Sequence, residues 1–168
     1  MTDAAIHESQ LETALLRQAI ELAVANVSAG QLPFGALVVR DGRILATGVN
    51  STLRDDDPTA HAEVAAIRNS CRELRTLTLA GAMLISSCEP CALCHAAAVS
   101  AGVLRVVYAA PRAFAFAMLG EPQVPHAALL AEMQDALRSL VPGQIVHVPI
   151  ESANEPFERF ALTGGRSS

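Results

Sequence analysis

Two short stretches of this 168-residue chain carry side chains that can hold and use a metal ion. The first is Pro58-Thr59-Ala60-His61-Ala62-Glu63 and the second is Cys88-Glu89-Pro90-Cys91-Ala92-Leu93-Cys94. Together they offer one imidazole, two well-spaced thiols and a spare carboxylate. Nitrogen and sulfur donors of this kind suit zinc, and a set of three with the fourth position open is the arrangement of a catalytic site; structural sites close with four. On this reading His61, Cys91 and Cys94 are the zinc ligands, and Glu63 is the base that works at the open position. Cys88 and Glu63 are the two candidates for a fourth ligand if the site is closed. Cys91-Ala92-Leu93-Cys94-His95 also fits the Cys-x-x-Cys-His haem-attachment pattern and a redox dithiol. Haem would leave Pro90 and the His61-Ala62-Glu63 pair as coincidences, and a thioredoxin-like pair should follow the first strand.

The ligands need elements that aim them. Cys91 and Cys94 are three apart, so they share a face near the start of a helix, with Pro90 expected in its first turn. A helix N-terminus favours thiolate, the metal-binding form. Asp57-Pro58-Thr59 reads as a turn with Thr59 as N-cap, placing His61 in a first helical turn. Glu63 lies two residues on, roughly 200° around an ideal helix from His61. Both reach one site only if it lies in front of the helix end. The picture is two helix N-termini pointing at one metal.

The rest of the chain supplies a scaffold for this. Residues 9–29 read as an amphipathic helix closed by Gly30. Residues 37–39 and 44–46 are strands about Asp41-Gly42, a hairpin turn. Gly35 marks a bend or a close backbone approach. Residues 54–57 read as a solvated loop, and a helix runs from His61 to about Leu74. Residues 82–85 form a strand, 91–101 the second metal-bearing helix, and 104–108 the next strand. Residues 111–125, with three prolines, read as an apolar loop near the pocket mouth around Phe114, Phe116 and Met118, or equally as a packed connection. A helix over 127–140, an edge strand over 144–148 and a last helix bearing Phe157 and Phe160 complete the chain. Apolar strands alternating with helices imply an α/β fold with the sheet covered on both faces. No repeat or long linker divides the chain, so residues 1–168 form one domain, with 1–8 and 163–168 expected to fray.

Composition bounds the function. Hydrophobic residues make up 51%, enough for a core. All twelve basic residues are arginine, so lysine Schiff-base chemistry is excluded. A net charge of −5 argues against a broad nucleic-acid surface. Met1–Gln10 is polar, so a secretion signal is not expected, and no apolar run reaches membrane-spanning length. Crowded cysteines look like a metal site in a reducing cytoplasm.

The combination of His61-Ala62-Glu63 with Pro90-Cys91-Ala92-Leu93-Cys94 resembles the signature of the zinc-dependent cytidine deaminase superfamily. Leu32-Pro33-Phe34-Gly35-Ala36, Asn50, the 57–63 stretch and Ser87-Cys88-Glu89-Pro90-Cys91 are similar to the branch holding guanine deaminases and tRNA adenosine deaminases. The resemblance implies a three-layer fold with a mixed five-stranded sheet flanked by helices. It implies zinc as cofactor and hydrolytic deamination of an amino-substituted heterocycle. It further implies that Asn50 and the Ala62 N–H contact the substrate, that Phe34 lines the pocket, and that Glu121 stands for the acidic residues of a nearby loop. Phe34-Gly35 and Ser87–Cys91 resemble guanine deaminases more than the tRNA enzymes. The tail Gly164-Gly165-Arg166-Ser167-Ser168 lacks the aromatic of guanine deaminases, so pterins, triazines, cytosine and other purines stay open beside guanine. A tRNA enzyme, with a basic rim of Arg54, Arg112 and Arg159, and a non-catalytic zinc scaffold are the alternatives. A homodimer, with the C-terminal segment exchanged between subunits, is the implied assembly.

Overall fold

A computed structural model of the chain describes residues 3–120 and 126–164, with side chains described from residue 9. Helix α1 (Asp3–Ser28) leads into strands β1 (Gly35–Arg40) and β2 (Arg43–Val49). A short helix α2 (Thr52–Asp55) and the longer α3 (Ala62–Leu74) precede β3 (Met83–Cys88). Then follow α4 (Ala92–Ser100), β4 (Arg105–Ala110), α5 (Arg112–Leu119), α6 (Ala127–Leu140), β5 (Ile145–His147) and, after a 3₁₀ turn, α7 (Glu155–Leu162). The five strands form one sheet in the order β2-β1-β3-β4-β5. β1 runs antiparallel to both β2 and β3, while β3, β4 and β5 are parallel, so the sheet is mixed as expected.

Alternation along the central strands divides the core in two. Leu37, Val39, Ile85 and Val107 face α1, α5 and α7; Ala36, Val38, Leu84 and Val106 face α3 and α4. The layers are therefore helices, sheet, helices. The hairpin between β1 and β2 turns on Asp41 and Gly42, both with positive φ (52° and 72°), the conformation a two-residue turn needs to match the right-handed twist of its strands.

Two glycines set how closely the outer layers approach. A Cβ at Gly35 would lie 2.5 Å from the Ala19 carbonyl oxygen of α1. A Cβ at Gly48 would lie 2.3 Å from the Ala62 oxygen and 2.3 Å from the Ala66 nitrogen of α3. Gly48 pairs with Ala36 and Gly35 with Val49, so these contacts sit side by side in the sheet. Gly48 thus seats the first turns of α3, the turns that carry His61 and Glu63, against the strand.

Three expectations need correction. Helix α1 starts at Asp3, six residues before residue 9. Part of the 54–57 loop is helical, since α2 ends at Asp55. Residues 112–119 are helix α5, not an apolar loop. The prolines misled: Pro111 is the N-cap of α5, where its missing N–H removes nothing a helix needs. Among the described residues no helix is long and apolar enough to cross a membrane.

Candidate active site

Helices α3 and α4 both present their first turns to one point. His61 is the N-cap of α3 (φ −74°, ψ 152°), and its carbonyl accepts the Ala65 N–H at 2.9 Å. Cys91 is the N-cap of α4 (φ −81°, ψ 176°), and its carbonyl accepts the His95 N–H at 2.9 Å. Neither side chain makes a capping hydrogen bond, so both are left for another partner. The expected caps differ from these. Thr59 is captured by Asp57 instead: its N–H and hydroxyl donate to the Asp57 carboxylate at 2.8 and 2.7 Å. That Asx turn precedes the cap at His61. Pro90 lies before the cap rather than in the first turn.

The donor atoms of His61, Cys91 and Cys94 all lie within 4.8 Å of one another. The two sulfurs are 3.6 Å apart, and His61 Nδ1 is 3.5 Å from Cys91 Sγ and 3.4 Å from Cys94 Sγ. Tetrahedral zinc at ordinary bond lengths requires ligand–ligand spacings of about 3.8 Å for two sulfurs and about 3.6 Å for sulfur and nitrogen. The three side chains therefore fit a zinc ion. Neither Glu63 nor Cys88 joins this cluster of donors among the described residues. Cys88 packs into the core on the α1 side of the sheet, where burial pushes its thiol pKa up.

Electrostatics support the same fit. Donation from Cys94, with help from His61, pulls the Cys91 thiol down to about 4 against the effect of burial. The Cys94 thiol is held well above its usual range, first by that hydrogen bond to Cys91 and then by burial. The hydrogen bond with Cys91 raises the His61 pKa, opposed by burial. Two sulfurs this close ionise together only beside a compensating cation.

Glu63, the second residue of α3, is buried at 6% exposure. Its Oε2 lies 3.3 Å from Cys94 Sγ and its Oε1 accepts the Ser86 hydroxyl at 3.0 Å. Desolvation, then the negative charge at Cys91, raises its pKa. A carboxyl with raised proton affinity beside a metal cluster can carry protons to and from a reacting group.

The other candidate residues fall around this centre. Asn50 is buried and held by its neighbours: its N–H donates to the Phe34 carbonyl at 3.1 Å and its Oδ1 accepts the Thr52 N–H and hydroxyl at 3.1 and 2.8 Å. Its Nδ2 has no hydrogen-bond partner among the described residues. Ala62 is the first residue of α3, so its N–H is one of the helix-end donors without an intrahelical acceptor. Phe34 is partly buried, edge-on to Phe157 with centroids 5.8 Å apart. Glu121 lies outside the described residues.

Sequence reasoning passed over three residues here. Ser86 touches Glu63, and its signal was a hydroxyl inside an otherwise apolar buried strand. Asn26 donates from Nδ2 to the Leu32 and Asn50 carbonyls, each at 2.8 Å, and so ties the Asn50 loop to α1. Glu89 accepts the Arg112 N–H at 3.0 Å and the Arg138 guanidinium, joining the metal loop to α5 and α6. Nothing local in the sequence marks the last two, because their partners are distant along the chain.

The cytidine and deoxycytidylate deaminase zinc-binding region, as a family profile, matches residues 9–110. Guanine deaminase of Bacillus subtilis is 47% identical over 96 residues, covering 56% of this chain and 62% of that protein. The tRNA-specific adenosine deaminase of Haemophilus influenzae is 36% identical over 109 residues, covering 64% of this chain and 63% of that protein. The match thus spans somewhat under two thirds of these relatives' length. The solved structure of NE0047 in complex with 2,6-diaminopurine superposes with a TM-score of 0.75 at 25% identity, over 94% of this chain and 85% of that one.

Proposed function

The chain belongs to the cytidine and deoxycytidylate deaminase zinc-binding family, and from that premise we propose that it is a hydrolytic deaminase of a free amino-substituted heterocycle. Guanine is the first candidate, with related purines, pterins and triazines beside it. Water replaces the amino group on an amidine-like ring carbon, leaving a ring carbonyl and ammonia.

His61, Cys91 and Cys94 would hold zinc, which would acidify water and supply a nucleophile near neutral pH. Glu63 moves the protons. Its Oε2, on the side of the ligand cluster, takes the proton from water and passes it to the ring nitrogen beside the attacked carbon. The same oxygen then serves the departing amine. Burial keeps bulk water from competing for that proton. Asn50 Nδ2 and the Ala62 N–H are donors suited to a ring carbonyl or ring nitrogen, and Phe34 is the apolar wall.

The observation that carries this reading is that Glu63 is buried against the donor cluster without belonging to it. The guanine preference is supported by the 47% identity to a guanine deaminase. A purine-sized ligand also fits the fold, since the superposable NE0047 structure holds 2,6-diaminopurine. The tRNA reading draws on the Haemophilus influenzae relative. Against it, Arg54 pairs with Asp55 and Arg159 with Glu155, while Arg112 lies over the Phe116 ring. That rim offers little free positive charge to phosphates. The assembly remains a homodimer on this proposal, although α7 packs against α1 of its own chain.

The test is ammonia release by the zinc-loaded protein from guanine, adenine, cytosine, 2,6-diaminopurine, a pterin and an aminotriazine, with tRNA as a separate arm. Turnover of a free base with none on tRNA is expected. Inosine formed in tRNA without turnover of any base overturns the small-molecule reading.

A further inference from the structure

We propose that Ser86 is a positioning residue for Glu63: its hydroxyl fixes the plane of the carboxylate, so that Oε1 is tethered and Oε2 stays on the ligand side. This rests on the deaminase reading, since it assigns Ser86 through the role of Glu63.

A glutamate carboxylate turns easily about its last side-chain torsion, which has broad minima. In water many donors would average that freedom. Here the carboxylate is buried, so donors must come from the protein. An ionised carboxylate only accepts hydrogen bonds. Ser86 Oγ supplies one to Oε1 at 3.0 Å. Oε2 meets Cys94 Sγ at 3.3 Å. The two oxygens are therefore inequivalent, and Ser86 decides which is which.

The direction of the Ser86 bond is fixed as well. A hydroxyl has one proton and two lone pairs. The Cys88 N–H, which can only donate, approaches Ser86 Oγ at a long 3.4 Å. The single proton is left for Glu63. Ser86 sits on β3, paired with Ala36 of β1 and Tyr108 of β4, and is 2% exposed. A central strand is a rigid mount, as a precise catalytic geometry requires.

The strand also shows that these hydroxyls have separate tasks. β3 buries Leu84 and Ile85, then switches to Ser86 and Ser87. Burying a hydroxyl is unfavourable unless it finds a partner. Ser87 accepts the Gly35 N–H at 3.1 Å and so stitches β3 to the start of β1. Among the described residues the Ser86 hydroxyl bridges no strands; besides the long contact from the Cys88 N–H its partner is the proton-transfer group.

The experiment compares Ser86→Thr with Ser86→Val, which match in shape and differ in the hydroxyl, with Glu63→Gln as reference. Guanine, or whichever base of the panel is turned over fastest, is the probe. Ser86→Val is expected to lose about 10- to 100-fold in kcat with KM within about twofold, the signature of a misplaced reacting group. Ser86→Thr should recover most of that rate. Zinc content and melting temperature should match between the two variants, and a crystal structure of Ser86→Val should show the Glu63 carboxylate rotated. Equal kcat for the Thr and Val variants overturns the proposal, as does zinc loss confined to Val, which would make Ser86 part of the metal scaffold. If Glu63→Gln keeps full turnover, the deaminase mechanism itself fails, a different result from either.

Discussion

The N-terminus of α3 and the N-terminus of α4 each place a donor at the cap, His61 and Cys91, on extended backbone. They differ in where the next chemical group stands. In α4 it is Cys94, three residues past the cap, which turns back beside Cys91 so that the sulfurs lie 3.6 Å apart. In α3 it is Glu63, two past the cap, roughly 200° around the helix from His61. Glu63 is not among the donors that cluster with His61; it reaches Cys94 and Ser86 instead. One residue of spacing separates a thiol that joins the donor cluster from a carboxylate that stands beside it. The phase of α3 thus leaves the three-donor set without Glu63, as an open catalytic zinc site would require.

The largest effect should come from removing cap-side donors, which treats the two helices alike. Cys91→Ala, Cys94→Ala and His61→Ala should each reduce bound zinc to a small fraction of the parent after dialysis against a weak chelator, and abolish turnover. Metal content by elemental analysis checks this. A Cys94→Ala protein that keeps full zinc would mean that another group joins the site. The next effect separates the helices. Glu63→Gln should keep parental zinc and lose roughly a thousandfold in kcat, read by single-turnover ammonia release. Loss of zinc in Glu63→Gln would make the two first turns equivalent and erase the distinction drawn above.

The seating of the helices gives a smaller and purely structural contrast. Gly48→Ala puts a methyl 2.3 Å from the backbone of α3 at Ala62 and Ala66. Backbone cannot give way as a side-chain tip can, so a loss of about 3 kcal/mol is expected from the urea midpoint. Cys88 tests the other side of the site. It lies close to the ligands in sequence yet packs into the opposite core, so Cys88→Ala should keep zinc and lose only about 1 kcal/mol.

How much of this was legible beforehand follows from the range of the interactions. His61, Cys91 and Cys94 were readable because donor type and i,i+3 spacing are local, and so was the hairpin at Asp41-Gly42. Strands β2 and β3 run further than apolar patterning predicts, because they end in Thr47-Gly48-Val49 and Ser86-Ser87-Cys88, where pairing and close packing override weak patterning, while β5 is shorter than the 144–148 expected. Helix α5 was hidden by the prolines around it, although Phe114, Ala115 and Met118 lie on one helical stretch. Ser86, Asn26 and Glu89 act on residues 23 or more positions away, apart from the Asn26 bond to Leu32 and the long Cys88 N–H contact to Ser86. Such pairings exist only once the sheet has formed.

The start of α3 offers the mildest test of the comparison. Asp57 holds Thr59 in an Asx turn, and among the described residues no such turn leads into α4. The Thr59 hydroxyl first, and its N–H second, lower the Asp57 pKa. A carboxylate depressed in the folded state contributes stability above its unfolded pKa, about 3.9, and loses it as pH falls through the lower folded value. Asp57 is only partly buried, so solvent screens the effect and it should be small. Asp57→Ala should therefore lower the melting temperature slightly, by the same amount at pH 5 and pH 8, because the parent carboxylate is ionised across that range. Zinc content should not change, since His61 is fixed as the cap by the helix behind it rather than by the turn ahead. A melting difference that grew between pH 5 and pH 8 would show that Asp57 titrates there and is not held by Thr59. Lost zinc would show that α3, unlike α4, needs its leading turn to aim its ligand.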